Sequence, residues 1–362
     1  MRKIAGLLLM TGLLVLPLAA CNSGSSGEEV SVAATPQAPA GPLIEGPVKG
    51  GLGMISVSST MFPLVPLGYS AEEYFVSGNA GSFVADGDLP ANGFWKTRAA
   101  GDSAAFKTRI VVYRPQFARN FNGTVIVEWL NVSGGLDSAP GWINAHTEFM
   151  REGYAWVGVS VQKEGIDGGG MISMVDLPLK KFDAQRYGSL VHPGNKYSYD
   201  IFTKVARLLR QPSGINPLAG LGIQKMIASG ESQSAMRLVT YVNGIAPLNG
   251  DKLFDGYMIH SRTFGAAPLA GDLSVNTPTD TVMHVRTDIA PVMTIQTESD
   301  IFLLNYYGSR QDDGPNFRLW EMAGTSHADL YTLNGLFDLN GSDTQYANVA
   351  EVSKPMGGVV SC

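Results

Sequence analysis

The chain has 362 residues, with 32 acidic against 26 basic side chains and a formal net charge of −6. This acidic balance, with no cluster of lysine or arginine in the body of the chain, argues against a nucleic-acid partner. Hydrophobic residues make up 44% of the sequence, which is enough to build one large domain with a substantial core.

The first 20 residues have the pattern of an export signal. Arg2 and Lys3 provide a positive start, and an apolar run follows from residue 4 to residue 15. The run is too short for a membrane-spanning helix and ends in small residues, which is typical of a cleaved signal peptide. We therefore predict that the protein is exported.

The signal ends in Leu18-Ala19-Ala20-Cys21. This segment resembles the lipobox of bacterial lipoproteins, which implies cleavage before Cys21 and attachment of lipid to its thiol. Several acyl chains on one residue would hold the protein to a membrane. Asn22 is not the aspartate associated with inner-membrane retention, so the outer membrane or cell surface is expected. Plain secretion is the alternative.

Residues 21–47 are rich in Gly, Ser, Ala and Pro, which predicts a flexible tether. As a coil, a segment of about 25 residues would span roughly 25–30 Å. The remainder, residues 48–362, is predicted to be a single domain. Cys362 is the only other cysteine, so with Cys21 lipidated we expect no disulfide within the chain.

From about residue 72, strand-like and helix-like segments alternate, which predicts an α/β fold. Parallel strands, helices on both faces of the sheet and a site at the carboxyl ends of the strands follow from that alternation. The first two strands are expected to be partly exposed. Strands are predicted over 73–84, 105–114, 124–130, 155–161, 226–228, 254–260, 291–297 and 317–322, and helices over 142–152, 199–210 and 235–242.

The segment Gly230-Glu231-Ser232-Gln233-Ser234 joins a short buried strand to an amphipathic helix. It leaves no room for an ordinary loop, so Ser232 is expected to adopt a strained, exposed conformation with small residues two positions away on each side. The first N–H groups of the helix would then favour negative charge beside the Ser232 hydroxyl. A plain strand–helix connection with a capping serine is the alternative.

On this segment the chain resembles the α/β-hydrolase superfamily, and its Gly-Glu-Ser opening is similar to that of carboxylesterases and cholinesterase-like enzymes. Ser234 stands where the usual pattern has glycine. The resemblance implies an α/β-hydrolase fold with a mostly parallel central sheet. It also implies a catalytic order of nucleophile, acid and histidine along the chain.

A serine hydroxyl becomes a good nucleophile when a base accepts its proton and a third group orients that base. His327 follows the last predicted strand, which is the position that the resemblance gives to the catalytic histidine. His260, which ends an earlier strand, is expected to be a pocket-wall or hydrogen-bonded residue. The acid should follow the strand before His327, where Asp300 is favoured and Glu298 is the alternative.

A tetrahedral intermediate needs two converging hydrogen-bond donors. One is expected to be the backbone N–H of Gln233. The other is expected from the loop Asn131-Val132-Ser133-Gly134-Gly135, where related esterases carry His-Gly-Gly-Gly; Asn131 and Val132 are the candidates. A plain glycine-rich turn is the alternative. The long connections 165–198 and 263–290 are expected to form the substrate pocket or a lid.

Together these features predict an extracytoplasmic serine hydrolase that acts on small-molecule carboxylic esters. The preference for esters comes from the resemblance alone. An amidase or peptidase with the same residues is one alternative, and a surface binding protein on a hydrolase scaffold is another. The sequence carries no His-Glu-x-x-His motif, Cys pair or nucleotide-binding glycine loop, so we predict neither a metal site nor a cofactor.

Overall fold

The computed structural model describes residues 43–170, 176–250, 252–270, 273 and 282–329. The predicted signal, the lipobox with Cys21 and most of the predicted tether lie outside these residues. Parts of both predicted pocket insertions do so as well, at 171–175 and at 271–281 apart from Leu273.

The strands are β1 (Leu43–Glu45), β2 (Tyr69–Ala80), β3 (Phe83–Ala85), β4 (Thr97–Ala99), β5 (Ala104–Pro115), β6 (Thr124–Trp129), β7 (Ala155–Val159), β8 (Lys225–Glu231), β9 (Gly256–His260), β10 (Val292–Thr297) and β11 (Phe317–Met322). Nine of them form one sheet in the order β1-β2-β5-β7-β6-β8-β9-β10-β11, while β3 and β4 pair separately. The six strands from β7 to β11 in this order run parallel to their neighbours. The first three are antiparallel additions at one side. The mostly parallel sheet that the sequence predicts is therefore confirmed.

The helices are α1 (Pro140–Glu152), α2 (Lys163–Asp167), α3 (Leu179–Phe182), α4 (Ala184–Tyr187), α5 (Ser198–Arg210), α6 (Gln233–Thr240) and α7 (Glu298–Phe302). Pro140 begins α1, where a missing N–H costs nothing. Gly153 ends the same helix in the left-handed conformation, as its glycine predicts. A π-helical turn over Tyr241–Ile245 continues α6.

Helices cover both faces of the sheet. On one face, Trp142 and Phe149 of α1 pack in a cluster with Tyr113, Ile126 and Trp156 of the strands. On the other face, α5 and α6 pack on the valines of β5, β6 and β7. Each buried aliphatic or aromatic side chain contributes about 1.5–3 kcal/mol relative to leaving it in water. The two layers fix the carboxyl ends of the parallel strands, where the site lies.

The expectation that the early strands are partly exposed is confirmed for β2 and for the ends of β5, where Ala105 is exposed and Lys107 and Arg114 are half-buried. Residues Thr108–Tyr113 are all buried, because β2 and β7 flank the strand and both of its faces are covered. Arg109 lies within this buried run, and its guanidinium is paired inside the protein with Glu73 and Asp137.

The described part of the 165–198 connection contains α3, α4 and a short 3-10 turn. Among the described residues, no helix is both long enough and apolar enough to cross a membrane.

Candidate active site

Ser232 is the single residue between β8 and α6. Its backbone has φ 57° and ψ −118°, a sparsely populated combination for a residue with a side chain. Such strain costs about 1–3 kcal/mol and persists when the surrounding structure enforces it. Here the N–H of Ser232 donates to the carbonyl of His260 on the neighbouring strand at 2.9 Å. The turn leaves the Ser232 side chain half-buried at the carboxyl edge of the sheet.

Small residues on each side allow this turn. A Cβ atom at Gly230 would lie 3.1 Å from the carbonyl group of Ser234 and 3.1 Å from a methyl group of Leu238. Ser234 occupies the position that is usually glycine, and it is fully buried. Its hydroxyl donates to the carbonyl of Leu130 at 3.2 Å, so serine is accommodated there with its hydrogen bond satisfied.

His327 lies on the loop after β11, beside Ser232. Its Nε2 is 2.8 Å from Ser232 Oγ, and its Nδ1 is 2.6 Å from Asp300 Oδ1. Asp300 is fully buried in α7, directly after β10. The structure thus brings together Ser232, His327 and Asp300, which lie on separate elements at the carboxyl edge of the sheet.

The ionisation of Asp300 defines the proton positions on the imidazole. Burial opposes its charge, but hydrogen bonds from His327 and from Thr297 hold the pKa of Asp300 below its ordinary value. An ionised carboxylate only accepts hydrogen bonds, so Nδ1 of His327 must donate to it. In the neutral ring, Nε2 is then the acceptor for the Ser232 hydroxyl.

His327 has a raised pKa. Burial alone would lower it, but the hydrogen bond to Asp300 and the negative charges of Glu231 and Asp300 outweigh burial and raise the pKa of His327 above its ordinary value. The imidazolium form is therefore favoured relative to a histidine in water, which suits a group that must accept a proton during a reaction.

Glu298, the alternative acid, does not contact the imidazole. Its Oε2 accepts the N–H of Gly324 at 2.6 Å. Ser299 Oγ accepts the N–H of His327, also at 2.6 Å. The first turn of α7 therefore places Asp300 against the imidazole. Its Glu298 and Ser299 side chains hold the loop that carries His327.

The two candidate donors in the loop after β6 differ. The N–H of Asn131 donates to the carbonyl of Ser138 at 2.9 Å, so it is already engaged. Val132 and Gln233 line one small recess, together with Ser133, Glu164 and Leu273. Gln233 begins α6, and a first helical N–H has no acceptor within its helix. Of the two loop candidates, Val132 is the one that lines this recess together with Gln233.

Glu231 contacts His327 and Asn131, and it was not assigned to the site from the sequence. Its Oε1 is 3.6 Å from His327 Nε2, and its Oε2 accepts from Asn131 Nδ2 at 3.0 Å. The available signal was a carboxylate at the end of a buried strand, next to the serine. His260 lies in register with Glu231 on β9, and burial lowers the pKa of His260 to about 4.

Chemically, the arrangement can move a proton from Ser232 Oγ to Nε2 and back while Asp300 keeps the ring oriented. Within the part of the chain that the structure describes, no group of three or more His, Cys, Asp or Glu side chains is placed to hold a metal ion.

Three solved structures illustrate what the fold is similar to. The esterase Est22 is 13% identical over 79% of this chain and 79% of its own, with a TM-score of 0.40. An α/β serine hydrolase homologue from Coxiella burnetii is 13% identical over 68% of this chain and 93% of its own, with a TM-score of 0.37. An esterase from Pyrobaculum calidifontis is 12% identical over 68% of this chain and 82% of its own, with a TM-score of 0.35. Likeness at this level carries no argument about activity.

No curated protein matches the sequence. A family model described as an alpha/beta hydrolase domain matches residues 44–360. This match covers most of the chain, including every strand of the central sheet after β1 and all the site residues described above. The protein therefore belongs to this family of α/β-hydrolase domain proteins.

Proposed function

We propose that the protein is a serine hydrolase that cleaves carboxylic esters through an acyl-enzyme. Ser232 is the nucleophile, His327 the general base and Asp300 the group that orients the imidazole. The observation that carries the proposal is the hydrogen-bonded chain from Ser232 Oγ through His327 to Asp300, with distances of 2.8 and 2.6 Å. The strained backbone of Ser232 supports it, because strain of this kind is characteristic of functional positions.

In the proposed reaction, Ser232 Oγ attacks the ester carbonyl carbon while His327 Nε2 takes the hydroxyl proton. The N–H groups of Gln233 and Val132 stabilise the resulting oxyanion. The imidazolium then gives its proton to the departing alkoxide, leaving an acyl group on Ser232. Water, deprotonated by the same nitrogen, releases the acid and restores the serine.

The preference for esters over amides rests on the likeness of the Gly-Glu-Ser opening to that of carboxylesterases. Matched ester and amide substrates with the same acyl group test this preference. We expect faster turnover of the ester; turnover of the amide alone would instead assign the protein as an amidase.

The principal test is the hydrolysis of nitrophenyl esters of increasing acyl length by the wild type and by Ser232→Ala. We expect the substitution to lower kcat by at least about 10⁴-fold, as for loss of a serine nucleophile in general. Ser103→Ala removes the hydroxyl of an exposed serine and serves as the matched control, with turnover like that of the wild type. Equal turnover by Ser232→Ala would contradict the proposal, and absence of turnover of any substrate would favour a binding role.

We also propose that lipid on Cys21 anchors the domain to a membrane outside the cytoplasm, on the evidence of the lipobox alone. Cells supplied with labelled palmitate should incorporate it into the wild-type protein and not into Cys21→Ala. Label in neither protein, with the wild type free in the medium, would indicate plain secretion.

A further inference from the structure

Glu231 lies beside both the catalytic base, His327, and Asn131 in the loop that supplies the oxyanion donor. These two parts of the site have different roles in the proposed reaction. Glu231 ends β8 immediately before the nucleophile, and its side chain is 12% exposed. One carboxylate oxygen lies near Nε2 of His327, the nitrogen that would carry the reacting proton, while the other binds Asn131. A carboxylate held in so little water requires compensating partners. These two contacts offset part of the cost of its burial.

The contact with Asn131 holds the start of the loop that supplies Val132. Asn131 Nδ2 donates to the Glu231 carbonyl at 3.1 Å as well as to its carboxylate. Asn131 Oδ1 accepts the N–H of Ser133 at 2.8 Å. The backbone of Asn131 exchanges two hydrogen bonds with Ser138. The loop therefore closes on itself through Asn131 and is fastened to the end of β8 through Glu231.

The contact with His327 has an electrostatic consequence. When Nε2 takes the serine proton, a positive charge appears 3.6 Å from Glu231 Oε1. An ionised carboxylate at that distance favours the imidazolium. Burial, together with the charges of Asp300 and Glu128, raises the pKa of Glu231 to about 7, although His327 and Asn131 act in the opposite direction. Glu231 is therefore partly ionised at neutral pH.

Other titratable groups face this pair from the neighbouring elements. Glu128 on β6 accepts the N–H groups of Gly141 and Trp142 and the indole N–H of Trp156. His260 lies on β9 and interacts electrostatically with Asp300, His327 and Asp329. Asp300 contacts Nδ1, the opposite nitrogen of the ring. Glu231 differs from these groups because its carboxylate lies 3.6 Å from Nε2, the nitrogen that takes the serine proton in the proposed reaction.

We propose that Glu231 is a positioning residue for the proposed hydrolysis, which couples the loop of Val132 to the catalytic base. Through Asn131 it sets the loop relative to Ser232, and through His327 it stabilises the protonated base. This inference rests on the proposed function, because both effects matter only if His327 accepts a proton from Ser232.

The test is the pH dependence of kcat/KM for a nitrophenyl ester with wild type and Glu231→Gln. The amide oxygen of glutamine can still accept from Asn131, while the charge beside Nε2 is lost. The base must be neutral to act, so kcat/KM rises as pH rises through the pKa of His327. Loss of a charge that raises this pKa should move the acid limb to lower pH, and we expect kcat to fall about 10-fold.

Glu128→Gln is the matched control, because it removes a second buried carboxylate, one that accepts hydrogen bonds from Gly141, Trp142 and Trp156 instead of facing His327. Its removal favours ionised Glu231, so the acid limb should stay in place or move to higher pH. Thermal unfolding of each variant verifies that it is folded at the assay temperature.

The outcomes separate the two proposals. A Glu231→Gln profile that superimposes on that of the wild type overturns this inference and leaves the hydrolase proposal intact. A lower kcat with an unmoved acid limb also overturns it, since that result is what a purely structural role would give. Failure of the wild type to turn over any ester counts against the proposed function itself.

Discussion

The protein contains two buried clusters of charge, and they are composed differently. In the first, Arg109 pairs with Glu73 and Asp137, and Arg186 pairs with Glu73. Two cations thus face two carboxylates, all buried. In the second, at the site, Glu231 and Asp300 face one imidazole.

The balance of charge separates the roles of the two clusters. In the Arg109 cluster each charged group has a partner of opposite sign, so the cluster links strands β2 and β5 to Asp137 in the loop before α1. At the site, two carboxylates lie beside opposite nitrogens of one imidazole, whose charge changes when it takes a proton. Side chains whose pKa values are shifted by such surroundings are common at sites where protons are transferred.

Among the substitutions that test this difference between the two clusters, Asp300→Asn is expected to have the largest effect. The amide cannot fix the same imidazole tautomer as an ionised carboxylate, so kcat should fall by about 10³–10⁴-fold. Glu298→Gln is the matched comparison, since Glu298 holds the loop at Gly324 without contacting the ring. The kcat of this variant should fall much less than that of Asp300→Asn. If Glu298→Gln were the more damaging change, the assignment of the acid would be wrong.

A change of intermediate size is expected in the other cluster. Arg109→Met would leave Glu73 and Asp137 buried without their main cation, which typically destabilises a protein by about 3–5 kcal/mol. The free energy of unfolding in urea measures this loss. Arg98→Met removes an arginine from an exposed pair with Asp86, in which both side chains are more than 60% exposed, and should unfold close to the wild-type midpoint. Wild-type stability of Arg109→Met would show that the cluster does not hold the strands together.

The smallest effect, and one of opposite sign, is expected from Ser232→Gly. Glycine adopts positive φ without penalty, so the strain at this turn should be relieved and the free energy of unfolding should rise by about 1 kcal/mol. Activity should be lost in the same variant. Equal or lower stability relative to Ser232→Ala, measured by urea unfolding, would indicate that the turn is not strained.

The sequence allowed accurate prediction where the signal is local. The strand over 317–322 has the predicted limits, and α1 ends at residue 152 as predicted. The turn at Ser232 follows from five consecutive residues. The order of strand and loop also led to Asp300 and His327, because their positions depend on the topology of the fold more than on individual contacts.

What could not be predicted depends on residues that meet only after folding. Asn131 and Glu231 are 100 positions apart, and nothing local indicates that the amide of one serves the carboxylate of the other. The loop folds back so that the carbonyl of Ser138 accepts the N–H of Asn131. From the sequence, that N–H was one of two candidate oxyanion donors. The burial of Arg109 likewise depends on partners, Glu73 and Asp137, that lie 36 and 28 positions away.

The central claim is that the hydroxyl of Ser232 is the nucleophile. It is tested most directly by treating the folded protein with a fluorophosphonate and locating the adduct by mass spectrometry of its peptides. We predict a single phosphonylated peptide containing Ser232, formed faster as pH rises through the pKa of His327. An unmodified Ser232 peptide, or an adduct on another serine that persists in Ser232→Ala, would contradict the account.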